Sequence, residues 1–203
     1  MKPNEPRSRT FRRVFSFAGA TAALGLFLGA AAPTQAQSEI ESKSFHSNKE
    51  RIVFTVDVAE DFAAFVPTPV DPADTIPQRG SFFVTEGRIF PAGTIKGDGA
   101  SFDPNSNGSL GRWFCRGTHL VSGDQFVSTK FAVDTAQLFM FPNDERSIVT
   151  DGVEGGGKVE RVVSGGTGAF KDYVGIQKQE FLGFNASGGV NLRVTFVLRR
   201  AVR

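Results

Sequence analysis

Few side chains in this sequence of 203 residues stand where they could do chemistry. Asp57 is a lone carboxylate in an alternating run that puts Ile52, Phe54, Val56 and Val58 on one face and Arg51, Thr55 and Asp57 on the other. A carboxylate there is either a pocket acid or a solvated residue at a strand end. Cys115 is the only cysteine, either a thiol facing a pocket or a small buried hydrophobe, and an internal disulfide is excluded. Trp113, Cys115, Gly117 and His119 share one face of their strand, and Phe114, Arg116, Thr118 and Leu120 share the other. Either set could line a cavity. Arg116 and Glu180 either pair inside it, offsetting part of the cost of burying charge, or stay at the surface.

Other chemistries are excluded by spacing. Asp103-Pro104-Asn105-Ser106-Asn107-Gly108 matches the start of a calcium loop, but the position for the closing bidentate Glu is Phe114. His46 and His119, the only histidines, lie too far apart for a zinc-ligand spacing. No G-x-S-x-G motif is present. The sequence calls for no metal and no cofactor.

The elements that would position these residues follow a short N-terminal leader. Lys2, Arg7, Arg9, Arg12 and Arg13 form a basic region, an uncharged run extends from Val14 to Pro33, and Thr34-Gln35-Ala36 ends in small residues. This is the layout of a signal peptide cleaved after Ala36, and Arg12-Arg13-Val14-Phe15 fits a twin-arginine type. Export to the periplasm or medium is the expectation. Without residues 1–36 the chain holds 18 basic and 20 acidic groups, a nearly neutral body that gives no reason to expect nucleic acid as a partner. Residues 37–50 read as a polar tether, and 51–203 as one domain.

Within that domain, strands are expected at Arg51–Val58, Ser81–Phe90, Arg112–Val121, Gln125–Asp134, Gln137–Phe141, Ser147–Gly152, Val159–Val163, Gln177–Phe184 and Val190–Leu198. Asp61–Pro77, with four prolines, reads as a long loop with a helical turn near Glu60–Phe65. Eight or nine short strands without helical periodicity call for an antiparallel barrel or sandwich. Strands apolar on both faces, such as Phe82-Phe83-Val84 and Phe181-Leu182, favour a barrel covered from outside, with subunit contacts in a homo-oligomer as the expected cover.

The segment Ser164-Gly165-Gly166-Thr167-Gly168-Ala169-Phe170, with Gly175 beyond it, sits between two β-rich runs. It resembles the glycine corner of the dirigent and allene oxide cyclase barrels. Ile52–Val58 is similar to the dirigent first strand, and Gly111–Arg116 to the cyclase strand that carries a Cys. The resemblance implies an all-β, eight-stranded antiparallel barrel, usually a trimer, with an apolar pocket for a small molecule. It also implies structural roles at the corner for Gly165, Gly166, Gly168, Phe170 and Gly175, and makes Asp57, Cys115 and Tyr173 the candidate ligand-binding residues. Where those families place Arg or Tyr before the last glycine, this chain has Val174, with Tyr173 one position earlier. That offset turns Tyr173 to the opposite face unless a bulge intervenes.

The reading that follows is a barrel binding a small apolar or phenolic molecule in its lumen and directing its cyclisation or coupling by orientation. It would be an isomerase, or a stereo-directing protein without turnover. The competing reading is a structural envelope protein whose barrel is filled by its own side chains.

Overall fold

Eight stretches rich in Val, Phe, Ile and Thr form the strands: β1 (Arg51–Thr68), β2 (Phe82–Pro91), β3 (Gly111–His119), β4 (Val133–Met140), β5 (Ser147–Glu154), β6 (Lys158–Gly166), β7 (Tyr173–Phe184) and β8 (Val190–Arg200). The computed structural model describes residues 51–142 and 145–201. Each strand pairs antiparallel with the next, and β8 returns to β1, so the sheet closes and leaves no unpaired edge. The expected signal peptide and tether lie outside the described residues.

Alternation sends one side of every strand into the barrel. Ile52, Val56 and Val58 of β1 meet Leu192, Val194, Phe196 and Leu198 of β8 and Phe139 of β4 in one apolar core. At the end holding the N-terminus of β1, aromatic rings fill the lumen. Phe54 stacks on Phe196 with centroids 5.0 Å apart and on Phe170 at 5.8 Å, while Phe139 meets Phe196 edge-on at 4.9 Å. The glycine corner serves this plug. Gly168 adopts φ +55, a conformation glycine takes without strain, and opens the 3-10 turn Gly168–Phe170 that brings Phe170 back over the barrel end.

A second, smaller core lies outside the wall. The connection from β2 to β3 folds over β1, packing Ile95 on Ala59 and Phe90, with Phe102 and Leu182 at its edge. At these positions the chain itself supplies the outer cover expected of neighbouring subunits. Phe82, Val84 and Phe184 remain exposed.

Two expectations need correction. β1 runs ten residues past Val58, to Thr68, and there is no helical turn at 60–65. Instead the β1–β2 register jumps from Asp61↔Glu86 to Val66↔Val84, so residues 62–65 bulge opposite Thr85. Residues 125–132 are not a strand. Gly123–Ser128 is a 3-10 turn whose Phe126 packs edge-on against Phe181, 5.7 Å between centroids, so β4 begins at Val133.

Candidate functional site

The end of the barrel opposite the plug holds a cavity of about 370 Å³. Its wall is aromatic: Phe62 and Phe65 from the β1 bulge, Phe83, Trp113, Phe126 and Phe184. The bulge makes this possible, because it stacks Phe62 on Phe65 (5.5 Å) and Phe65 on Phe83 (5.5 Å) at the mouth. Two connections close over the opening. Thr75, Ile76 and Pro77 come from the proline-rich loop, and Asp124 and Phe126 from the 3-10 turn. Gly123 N–H donates to Pro77 O at 2.8 Å and ties the two together.

Below the aromatic wall lies a polar layer. Glu60 is buried at the head of the bulge and accepts from Thr85 Oγ1–H at 2.6 Å and Val190 N–H at 2.8 Å. Burial raises its pKa, and these two bonds only partly oppose the rise. Glu154 accepts from Gln179 Nε2–H at 2.6 Å and Gln137 Nε2–H at 3.0 Å, with the Cys115 thiol 3.5 Å from its other oxygen. Gln177 adds bonds to Gln137 (2.9 Å) and Gln179 (2.8 Å), making a chain of amides across the lumen. Burial and then the Glu154 charge push the Cys115 thiol well above its ordinary range, so it stays protonated and is a poor nucleophile. Burial also lowers the pKa of His119.

Arg161 occupies the same interior, 2% exposed. Its guanidinium crosses β5 to donate to Thr135 Oγ1 at 2.6 Å, Thr135 O at 2.9 Å and Gly152 O at 2.8 Å. Gly152, at φ +146, lies directly under this side chain, where a Cβ would stand 3.4 Å from it.

Of the three candidate ligand-binding residues Asp57, Cys115 and Tyr173, Cys115 alone lines the cavity, together with Trp113 and His119 of its strand face. Asp57 stands on the outer wall. It is fully buried under the β2–β3 connection, where its carboxylate takes a two-point bond from Arg193 (2.9 and 3.1 Å) and accepts from Ile95 N–H at 2.9 Å. Its neighbours Val56 and Val58 point inward, so strand parity puts Asp57 outside. Tyr173 packs against the core at the plugged end, remote from the cavity, with Arg200 above its ring at 5.8 Å. Arg116 is exposed on the outer face, and Glu180 pairs there with Lys158 at 3.3 Å, so the two make no pair in the lumen. Asp103 Oδ1 accepts from Asn105 N–H at 2.8 Å in a local turn. Among the described residues no group of three or more His, Cys, Asp or Glu could hold a metal ion.

Glu60 and Glu154 were missed by the sequence reading. The signal for Glu60 is in the sequence, since it continues the inward series Val56, Val58, but the expected strand Arg51–Val58 stops short of it. Glu154 sits beside Gly155-Gly156-Gly157, which read as a turn.

No protein-family model and no curated protein matches the sequence. Solved structures do. The pterocarpan synthase dirigent protein PsPTS1 is similar over 77% of this chain and 99% of its own, at 13% identity and a TM-score of 0.54. The pterocarpan synthase dirigent protein GePTS1 matches over 75% and 90%, also at 13% identity, with a TM-score of 0.52. A Diels–Alderase from Streptomyces koyangensis matches over 84% and 83%, at 12% identity and a TM-score of 0.43. The chain shares the dirigent-type barrel fold that its glycine corner resembles.

Proposed function

We propose that this protein holds a small, neutral, apolar or aromatic molecule in the open half of its barrel and fixes that molecule in one geometry. The observation that carries the reading is the half-filled lumen. Aromatic rings plug one end, while the other keeps a cavity of about 370 Å³, within the range of small-molecule sites. Rigid aromatic walls favour one folded form of a flexible guest, which is catalysis by orientation. Glu60, with its raised pKa, would give or take a proton where a guest reaches the polar layer. Similarity in fold to two pterocarpan synthase dirigent proteins supports coupling or cyclisation as the outcome directed.

Export and self-association belong to the same proposal. A row of apolar residues, Val53–Val197–Ile176–Val162, runs across the outer faces of β1, β8, β7 and β6 and suits contact with further copies. The test is mass spectrometry of the chain produced with its own leader, under gentle and then denaturing conditions, followed by solvent extraction. The expected result is loss of residues 1–36, a multiple of the chain mass, and an extractable neutral apolar compound. A barrel empty after production in its own cells would favour the filled-barrel structural reading.

A further inference from the structure

Two buried polar atoms at the cavity have no hydrogen-bond partner among the described residues: Trp113 Nε1 and His119 Nε2. Both side chains line the cavity, and they are 1% and 7% exposed. An indole N–H shut away from water and unpaired carries a desolvation cost that a ligand acceptor would remove. The two mark different depths. They lie six residues apart on β3, about 20 Å of extended strand, with His119 at the mouth and Trp113 towards the plug. Trp113 and Glu60 belong to one cross-strand row, separated only by Gly87.

The charge of the lining narrows the ligand further. Glu60, Asp124 and Glu154 are its charged residues, and neither Lys nor Arg is among those lining the cavity. Arg161 lies in the lumen but not among the lining residues; both its terminal nitrogens are spent on Thr135 and Gly152, and only its Nε is without a partner among the described residues. A carboxylate guest would therefore lose its hydration with no lysine or arginine in the lining to meet it and two buried acids there.

We propose that Trp113 is a ligand anchor, its N–H donating to an oxygen at the buried end of a neutral guest, and that the acidic lining turns carboxylates away. The ligand class is then an apolar skeleton carrying a hydroxyl or carbonyl, rather than a hydrocarbon or a fatty-acid anion. His119, kept neutral by its surroundings, offers a second polar contact at the mouth. This inference rests on the lumen being a binding site.

Three probes of one skeleton separate the possibilities: naphthol, naphthalene and naphthoate, titrated calorimetrically against the wild-type protein and Trp113→Phe. Naphthol should bind about three- to tenfold more tightly than naphthalene, the worth of one hydrogen bond. Trp113→Phe should erase that advantage, naphthol and naphthalene then binding alike, and naphthalene still bound by the variant shows that it keeps its cavity. Naphthoate should bind more weakly than either. Naphthol and naphthalene binding equally, an advantage that survives Trp113→Phe, or naphthoate binding as tightly as naphthol would overturn the anchor while leaving the lumen a binding site. If no probe binds, the lumen reading falls with it.

Discussion

Asp57 shows how one position of strand parity decides a role. Its carboxylate is fully buried, yet it faces the β2–β3 connection and holds that connection to the wall through Arg193 and Ile95. Asp57→Ala should cost about 1–3 kcal/mol, since Ile95 N–H loses its partner while Arg193, at 35% side-chain exposure, regains water. Denaturant unfolding would register the loss, and guest affinity should not change. Lost affinity at intact stability would place Asp57 in the site after all. Glu60 is the contrasting residue. Burial raises its pKa above 4.5, so the folded chain keeps a proton that the unfolded chain has released. Its contribution to stability is therefore full below that value and is lost as pH rises through the folded pKa. Glu60→Gln has no such slope, so the stability of the wild type relative to this variant should decline as pH increases. A gap independent of pH would mean that Glu60 is ionised as readily in the folded chain as outside it.

At the scale of elements, the glycine corner and the β1 bulge shape the two ends of the lumen. The corner was legible because three glycines in five residues between β-rich runs allow little else. What it builds was not legible, since only the fold shows Phe170 packed on Phe54 and Phe141 across the barrel end. Phe170→Ala, at a site 8% exposed, should destabilise the barrel by about 3–5 kcal/mol, read as a fall in the thermal midpoint. A wild-type midpoint would show that the plug does not depend on this ring. The bulge left a weaker trace. Phe62-Ala63-Ala64-Phe65 breaks the period-two pattern, so the segment read as a turn, whereas pairing of Val66 with Val84 carries β1 beyond it. Glu60 was hidden for the same reason.

For the whole molecule, alternating strands and short turns made the closed barrel readable, because that pattern buries one face and leaves no edge. The polar layer was not readable. Glu154, Gln137, Gln177 and Gln179 come from three strands and meet only after closure, and an inward Gln in a strand looks like an outward one until the register is known. Cys115 joined the lining from a face that the sequence left undecided. The central claim is that the open half of this barrel takes up a neutral apolar guest, and the chain carries its own reporter. Trp113, the only tryptophan, lines the cavity. Titrating the folded protein with neutral phenolic and fatty-acid-derived compounds, while following tryptophan fluorescence, should give a saturable change at one guest per chain that disappears on unfolding. No saturable change for any compound up to its solubility limit would contradict the account.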